Sequence, residues 1–204
     1  MFRVTPVVRN LIIINVVVFI GQMLPMIAIN AGCLGKVGLS DLFSIWPVNT
    51  CAFKPYQFFT YMFAHGGVMH IAFNMLALAS YGPILESYWG EKKFLLFYII
   101  TGLGASIFYA LVNYYLYRAG APMLGASGAI YGLLVAFGLI FPNMEVMLMF
   151  VPIPIKAKYM VFIIGILTYM TDNGHAVAHT AHLGGALMGF IMVRLIWNDR
   201  SGSY

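Results

Sequence analysis

Charge is what this chain has least of: 11 Lys and Arg and 6 Asp and Glu in 204 residues, 8% of the whole, beside 62% hydrophobic residues. That balance excludes a soluble globule, which needs about a quarter of its residues charged, and defines an integral membrane protein. Low-complexity tracts, internal repeats and a stretch polar enough for a soluble domain are also lacking, so a single membrane domain over residues 1–204 is expected. The net charge of +5 is accounted for by short basic loops and gives no reason to expect nucleic acid as a partner. Cysteine is confined to Cys33 and Cys51, both in one loop, where a disulfide and two unpaired thiols are equally open. No His-Glu-x-x-His element occurs and no carboxylate lies near the depth of the histidines, so neither a zinc site nor a cofactor is expected.

What is present is six apolar segments: Leu11 to Ile29, Val68 to Leu85, Phe94 to Tyr117, Ser127 to Phe141, Tyr159 to Met170, and roughly His179 to Trp197. They predict an all-α membrane protein, a six-transmembrane-helix bundle with one long outer loop between the first two helices. The basic opening could imitate a signal peptide, but its apolar run is too long for one, and we read a retained first helix. With a cytoplasmic N-terminus, Arg3, Arg9, Lys92, Lys93, Lys156, Lys158, Arg194 and Arg200 fall inside, against Lys36, Lys54 and Arg118 outside. Both termini are then cytoplasmic. Several segments fall short of the ~20 residues that a crossing requires, which suits helices lining a wet cavity.

The even-numbered helices then run from outside to inside, and each position can be measured from the inner end. Ser127 stands ~21 Å above Phe141, His182 ~22 Å above Trp197, and His70 and Asn74 ~24 and ~18 Å above Glu86. Four polar side chains from three helices share one layer. Serine becomes a nucleophile when a neighbouring base takes its proton, and small neighbours let a carbonyl approach it, which Gly125-Ala126-Ser127-Gly128 provides. Small residues around a serine also serve plain helix packing. Gly185 and Gly189 strip side chains from one face of the sixth helix and match Gly128 and Gly132 on the fourth, so the two helices should meet closely and bring His182 to Ser127. His175 and His179 are rival bases nearer the outer loop. His70 and Asn74, four residues apart, share a helical face, and with the Ser127 N–H they could donate to a developing oxyanion. His65 is expected to support the mouth or the outer loop. Asp172 and Glu86 are too far from His182 for a triad, leaving a dyad in which Tyr131, one turn below Ser127, could stack on the imidazole.

At these residues the chain resembles the rhomboid intramembrane serine proteases, over most of its length from Tyr56 to Gly189. The motifs are His65 with His70-x-x-x-Asn74, Glu86 before Gly90, Gly125-x-Ser127-Gly128 with Tyr131, and Ala181-His182-x-x-Gly185-x-x-x-Gly189. The resemblance implies Ser127 as nucleophile, His182 as general base, and His70 with Asn74 at the oxyanion hole. It also implies transmembrane protein substrates that enter sideways from the membrane lipid past the fifth helix, with Phe73 near that gate, and residence in a bacterial plasma membrane. Tyr56-Gln57 stands where some bacterial members carry Trp-Arg, which puts anchoring of the outer loop in question. A non-catalytic rhomboid-like binding factor would share the bundle but should lack Ser127 or His182. A small transporter using His70, Asn74 and His182 as a polar path should show paired inverted halves, which this sequence does not.

Overall fold

In a computed structural model of the chain, the structure describes residues 4–24, 29–30, 35–117, 121–148, 151–171 and 176–197. Helix α1 (Pro6–Met23) leads into the antiparallel pair β1 (Ile29–Asn30) and β2 (Lys36–Val37), followed by the short helices α2 (Leu39–Phe43) and α3 (Gln57–Thr60). Helices α4 (Val68–Trp89), α5 (Glu91–Val112) and α6 (Ser127–Ile140) come next. The antiparallel hairpin β3 (Glu145–Leu148) and β4 (Val151–Lys156) separates α6 from α7 (Ala157–Thr171), and α8 (Ala176–Ile191) completes the described helices. Four of them, α1, α4, and α5 and α8 with the turns that extend them, are long and apolar enough to cross a membrane; α6 and α7 are shorter. Lipid offers no hydrogen bonds, so a chain this apolar satisfies its backbone within helices.

Helix α6 is the centre of the bundle: 10 of its 14 residues are buried, and it packs against α4, α5, α7 and α8. Helix α1 lies outside, against α4 and α5, with Ile13, Val17 and Ile20 exposed. One end of the bundle is closed by the Glu86 carboxylate at the foot of α4. Its two oxygens accept from the Val7 and Val8 N–H groups at 3.0 and 2.9 Å and from the Thr5 hydroxyl at 2.5 Å, capping the start of α1. At the same end Trp89, Phe97 and Trp197 meet at tilted and edge-on angles, and the Lys93 ammonium lies 4.4 Å from the centre of the Trp197 ring. Gly90, at φ +78°, makes the left-handed turn between α4 and α5 that residues with side chains rarely adopt.

The opposite end is tied by the loop between α1 and α4. Gln57 is its knot: the side-chain oxygen accepts from Trp46 and Lys54 N–H groups, while the amide donates to the carbonyls of Leu42 and Ala52. The anchoring put in question by glutamine at this position is therefore supplied by the glutamine itself. Ile45 and Met123 exchange two backbone hydrogen bonds, fastening the loop to the strand of chain that enters α6. Cys51 is disulfide-bonded; Cys33 lies outside the described residues.

One expectation needs correction. The first helix runs from Pro6, not Leu11, because proline suits the first turn and Glu86 caps it from a distance. It ends before Ile29, which is in β1, because Leu24 precedes Pro25 and is driven out of the helical region, to φ −81° and ψ 116°. The hairpin β3–β4 carries Pro152 and Pro154 in one strand, since a two-stranded ribbon has free edges that tolerate residues without an N–H.

Replacing Glu86 with Ala should uncap α1 and lower stability by roughly 2 to 4 kcal/mol, given a lost cap and charge-assisted hydrogen bonds. Thermal melting in detergent checks this; an unchanged midpoint would mean that the cap contributes nothing.

Candidate active site

The site is assembled where α6 begins. Gly125 adopts φ +125°, a conformation that favours glycine, and its N–H donates to the Tyr61 carbonyl at 2.9 Å. This turn delivers Ser127 at the first position of α6 with no side-chain cap from Ala126, so its N–H is among those that a helix start leaves without an intrahelical acceptor. The Tyr61 hydroxyl reaches across to the Gly102 carbonyl on α5 at 2.6 Å and sits beside Gly128, holding the turn from below.

Glycines then determine how closely α8 approaches. A methyl group placed on Gly185 would lie 1.9 Å from the Gly128 carbonyl oxygen, and one on Gly189 would lie 2.7 Å from that of Gly132. Helix backbones thus touch with no side chain between them. The approach brings His182 Nε2 to 2.9 Å from Ser127 Oγ. The imidazole is fixed from the side by Tyr131, whose ring is stacked at 4.2 Å and 11°.

On the other side of the serine stands α4. The Gly66 N–H donates to His70 Nδ1 at 3.3 Å, so a neutral His70 carries its proton on Nε2. That nitrogen faces Gly125: a methyl there would lie 2.7 Å from His70 Nε2 and 3.8 Å from Ser127 Oγ. The missing side chain of Gly125 therefore leaves room between an N–H donor and the serine. Asn74, one turn further along α4, is buried with its amide nitrogen unpaired. Buried donors are nearly always partnered, so an unpartnered one on the helix that carries His70 is a feature of this region.

His65 is buried, its ring edge-on to His70 at 5.1 Å, and its backbone is tied to the Gln22 side chain at the end of α1. Burial, reinforced by the neighbouring His70, holds the His65 imidazole down at about 4, so it is neutral at pH 7. His179 faces Tyr169 at 5.1 Å and lies 6.4 Å from His182 in an edge-on arrangement. His175 and Asp172 lie outside the described residues. Phe73 lies on the outer face of α4, more than half exposed.

Of the side chains singled out by sequence, the structure brings together Ser127, His182 and Tyr131 in direct contact, with His70 and Gly125 adjoining. Two contributors carry no such expectation. Tyr61 and Thr168 act by hydrogen bonds to elements remote in sequence. Of these, only Thr168 carried a signal, being a buried-capable hydroxyl within an apolar run.

A helical membrane bundle holding a serine at the start of α6 against a histidine of α8 is the class that this geometry defines. The chain belongs to the rhomboid family: the Rhomboid domain matches residues 52–199. It is 34% identical over 143 residues to the Rhomboid protease GluP of Bacillus subtilis, covering 69% of this chain and 26% of that protein. Similarity extends to the Rhomboid protease AarA of Providencia stuartii, 33% over 147 residues, 64% of this chain and 52% of that one. The mitochondrial Rhomboid protein 1 of Saccharomyces cerevisiae is 33% identical over 138 residues, 63% of this chain and 38% of its own length. The match thus covers between about a quarter and a half of each of these relatives.

The glycine seam gives a direct test. Gly185→Val should force α8 off α6, costing at least the ~1 to 3 kcal/mol typical of overpacking, and should slow the reaction of Ser127 with a serine-directed phosphonate. Gly165 on α7, with nothing within 4 Å of an added methyl, is the control, and its alanine variant should melt no lower than the parent. Parental melting and labelling of Gly185→Val would show that the seam is not closed.

Proposed function

We propose that this chain is an intramembrane serine endopeptidase that cuts peptide bonds within or beside transmembrane segments of other proteins. The observation that carries the reading is the 2.9 Å contact between Ser127 Oγ and His182 Nε2, with Tyr131 stacked on the imidazole. Helices α1, α4, α5 and α8, with the shorter α6 and α7, all traverse the membrane in this reading, the end bearing Glu86, Lys92 and Lys93 faces the cytoplasm of a bacterium, and the serine opens toward the outer side.

As Ser127 Oγ attacks the scissile carbonyl carbon, His182 Nε2 takes the hydroxyl proton, and the carbonyl oxygen becomes negative. That oxygen is received by the Ser127 N–H, the Nε2–H of His70 and the amide of Asn74. His182 returns the proton to the departing amine as the C–N bond breaks, leaving an acyl ester on Ser127. A water, deprotonated by the same imidazole, hydrolyses the ester and frees the new carboxyl terminus. Tyr131 keeps the ring aligned through both halves. A helix hides its carbonyls in its own hydrogen bonds, so the substrate must unwind at the cut, which favours segments of weak helix propensity. It reaches the serine from the lipid between α4, where Phe73 is exposed, and α7, whose Phe162, Ile166 and Tyr169 face outward.

The intact protein should be labelled covalently by a serine-directed phosphonate, and Ser127→Ala should remain unlabelled while keeping its fold. Equal labelling of the alanine variant would sink the nucleophile assignment.

The two histidines should separate in turnover of a transmembrane substrate. His182→Ala should lose activity nearly as fully as Ser127→Ala, with little further loss when the two are combined. His70→Ala and Asn74→Ala should each retain residual turnover, lowered on the order of 10²- to 10³-fold. A dead His70→Ala beside a competent His182→Ala would move the base to α4.

A further inference from the structure

Helix α7 is held to the bundle chiefly through α6, and at Tyr169 and Met170 its outer end is about 70% exposed. Within this thinly attached region Thr168 makes a polar contact that points inward. Thr168 Oγ1 lies 3.0 Å from the Tyr131 hydroxyl and donates its own proton to the Ile164 carbonyl at 2.8 Å. A threonine hydroxyl has one proton, so when it is given to the Ile164 carbonyl the Tyr131 O–H donates in the contact between the two side chains. The phenol is thereby pinned at its far tip by α7 while its face lies flat on His182. The hydroxyl contact fixes the long axis of the ring and the stack fixes its plane. The next residue, Tyr169, meets His179, whose ring stands edge-on to His182, so adjacent residues of α7 touch both neighbours of this histidine.

We infer that Thr168 is a positioning residue through which the docked state of α7 sets the orientation of the general base. The inference rests on the hydrolase reading of Ser127 and His182. It adds a link between the gate and the chemistry: a displacement of α7 that widens the gap beside α4 releases the Tyr131 hydroxyl, and the proton transfer to His182 is efficient only once α7 is docked again. Helix α7 is then both the wall that a substrate passes and the clamp that the reaction needs.

Thr168→Val keeps the shape of the side chain and removes the hydroxyl. With a transmembrane reporter substrate in detergent, its kcat should fall roughly 3- to 10-fold, the factor that one ordinary hydrogen bond carries, with KM unchanged. Thr168→Ser should restore kcat. Tyr131→Phe should reproduce the loss, and the double variant Thr168→Val with Tyr131→Phe should be no slower than Tyr131→Phe alone, since one bond cannot be lost twice. Parental kcat in Thr168→Val, a change confined to KM, or losses that multiply in the double variant would overturn the proposal while leaving the dyad intact. A parent protein that neither cleaves the reporter nor takes up the phosphonate would instead remove the hydrolase reading, and the inference with it.

Discussion

Everything in this molecule depends on how closely two helix backbones approach. In lipid, apolar side chains gain little by meeting one another, so helices associate through packing and polar contact. Gly185 against the carbonyl of Gly128 and Gly189 against that of Gly132 permit an approach that any side chain would forbid. The serine and the histidine stand at the top of that seam, on the two helices it joins, so their 2.9 Å separation follows from the seam, not from any local interaction of their own. A shift of a single methyl group at the seam is comparable with the tolerance of the hydrogen bond.

Around the seam, the bundle meets the demand that polar groups at membrane depth find partners. Tyr61 links the turn before the serine to α5, Gln57 satisfies four loop groups at once, and the Ile45–Met123 exchange fastens the loop to the entrance of α6. These contacts hold the irregular backbone that a serine at a helix start requires. Some buried side-chain atoms are left unpaired, among them both ring nitrogens of His65, the Asn15 and Asn113 oxygens and the amide nitrogen of Asn74 on α4.

Much of this was legible in the sequence, for definite reasons. Helical periodicity converts residue spacing into depth, so residue numbers alone sufficed to bring Ser127, His182 and His70 toward one layer, and glycines at a four-residue spacing on two helices announced their contact. Tyr131 on His182 followed from one turn of helix. What could not be read depends on long-range partners. Nothing near Tyr61 specifies the carbonyl its hydroxyl will find, nothing near Pro6 reveals that Glu86 will cap it, and Pro152 and Pro154 obey a local rule that a free-edged ribbon evades. Cys51 belongs with these, since pairing depends on proximity and not on spacing.

The cap on α1 orders events in time. The first helix is stabilised at its start by a carboxylate 78 residues further along the chain. A ribosome must therefore synthesise through Glu86, and α4 must take its place, before the opening turn of α1 acquires its side-chain acceptors. Until then the first helix is an unfinished element beside its eventual neighbours, and the arrival of α4 both adds a wall to the bundle and seals the beginning of the chain to it.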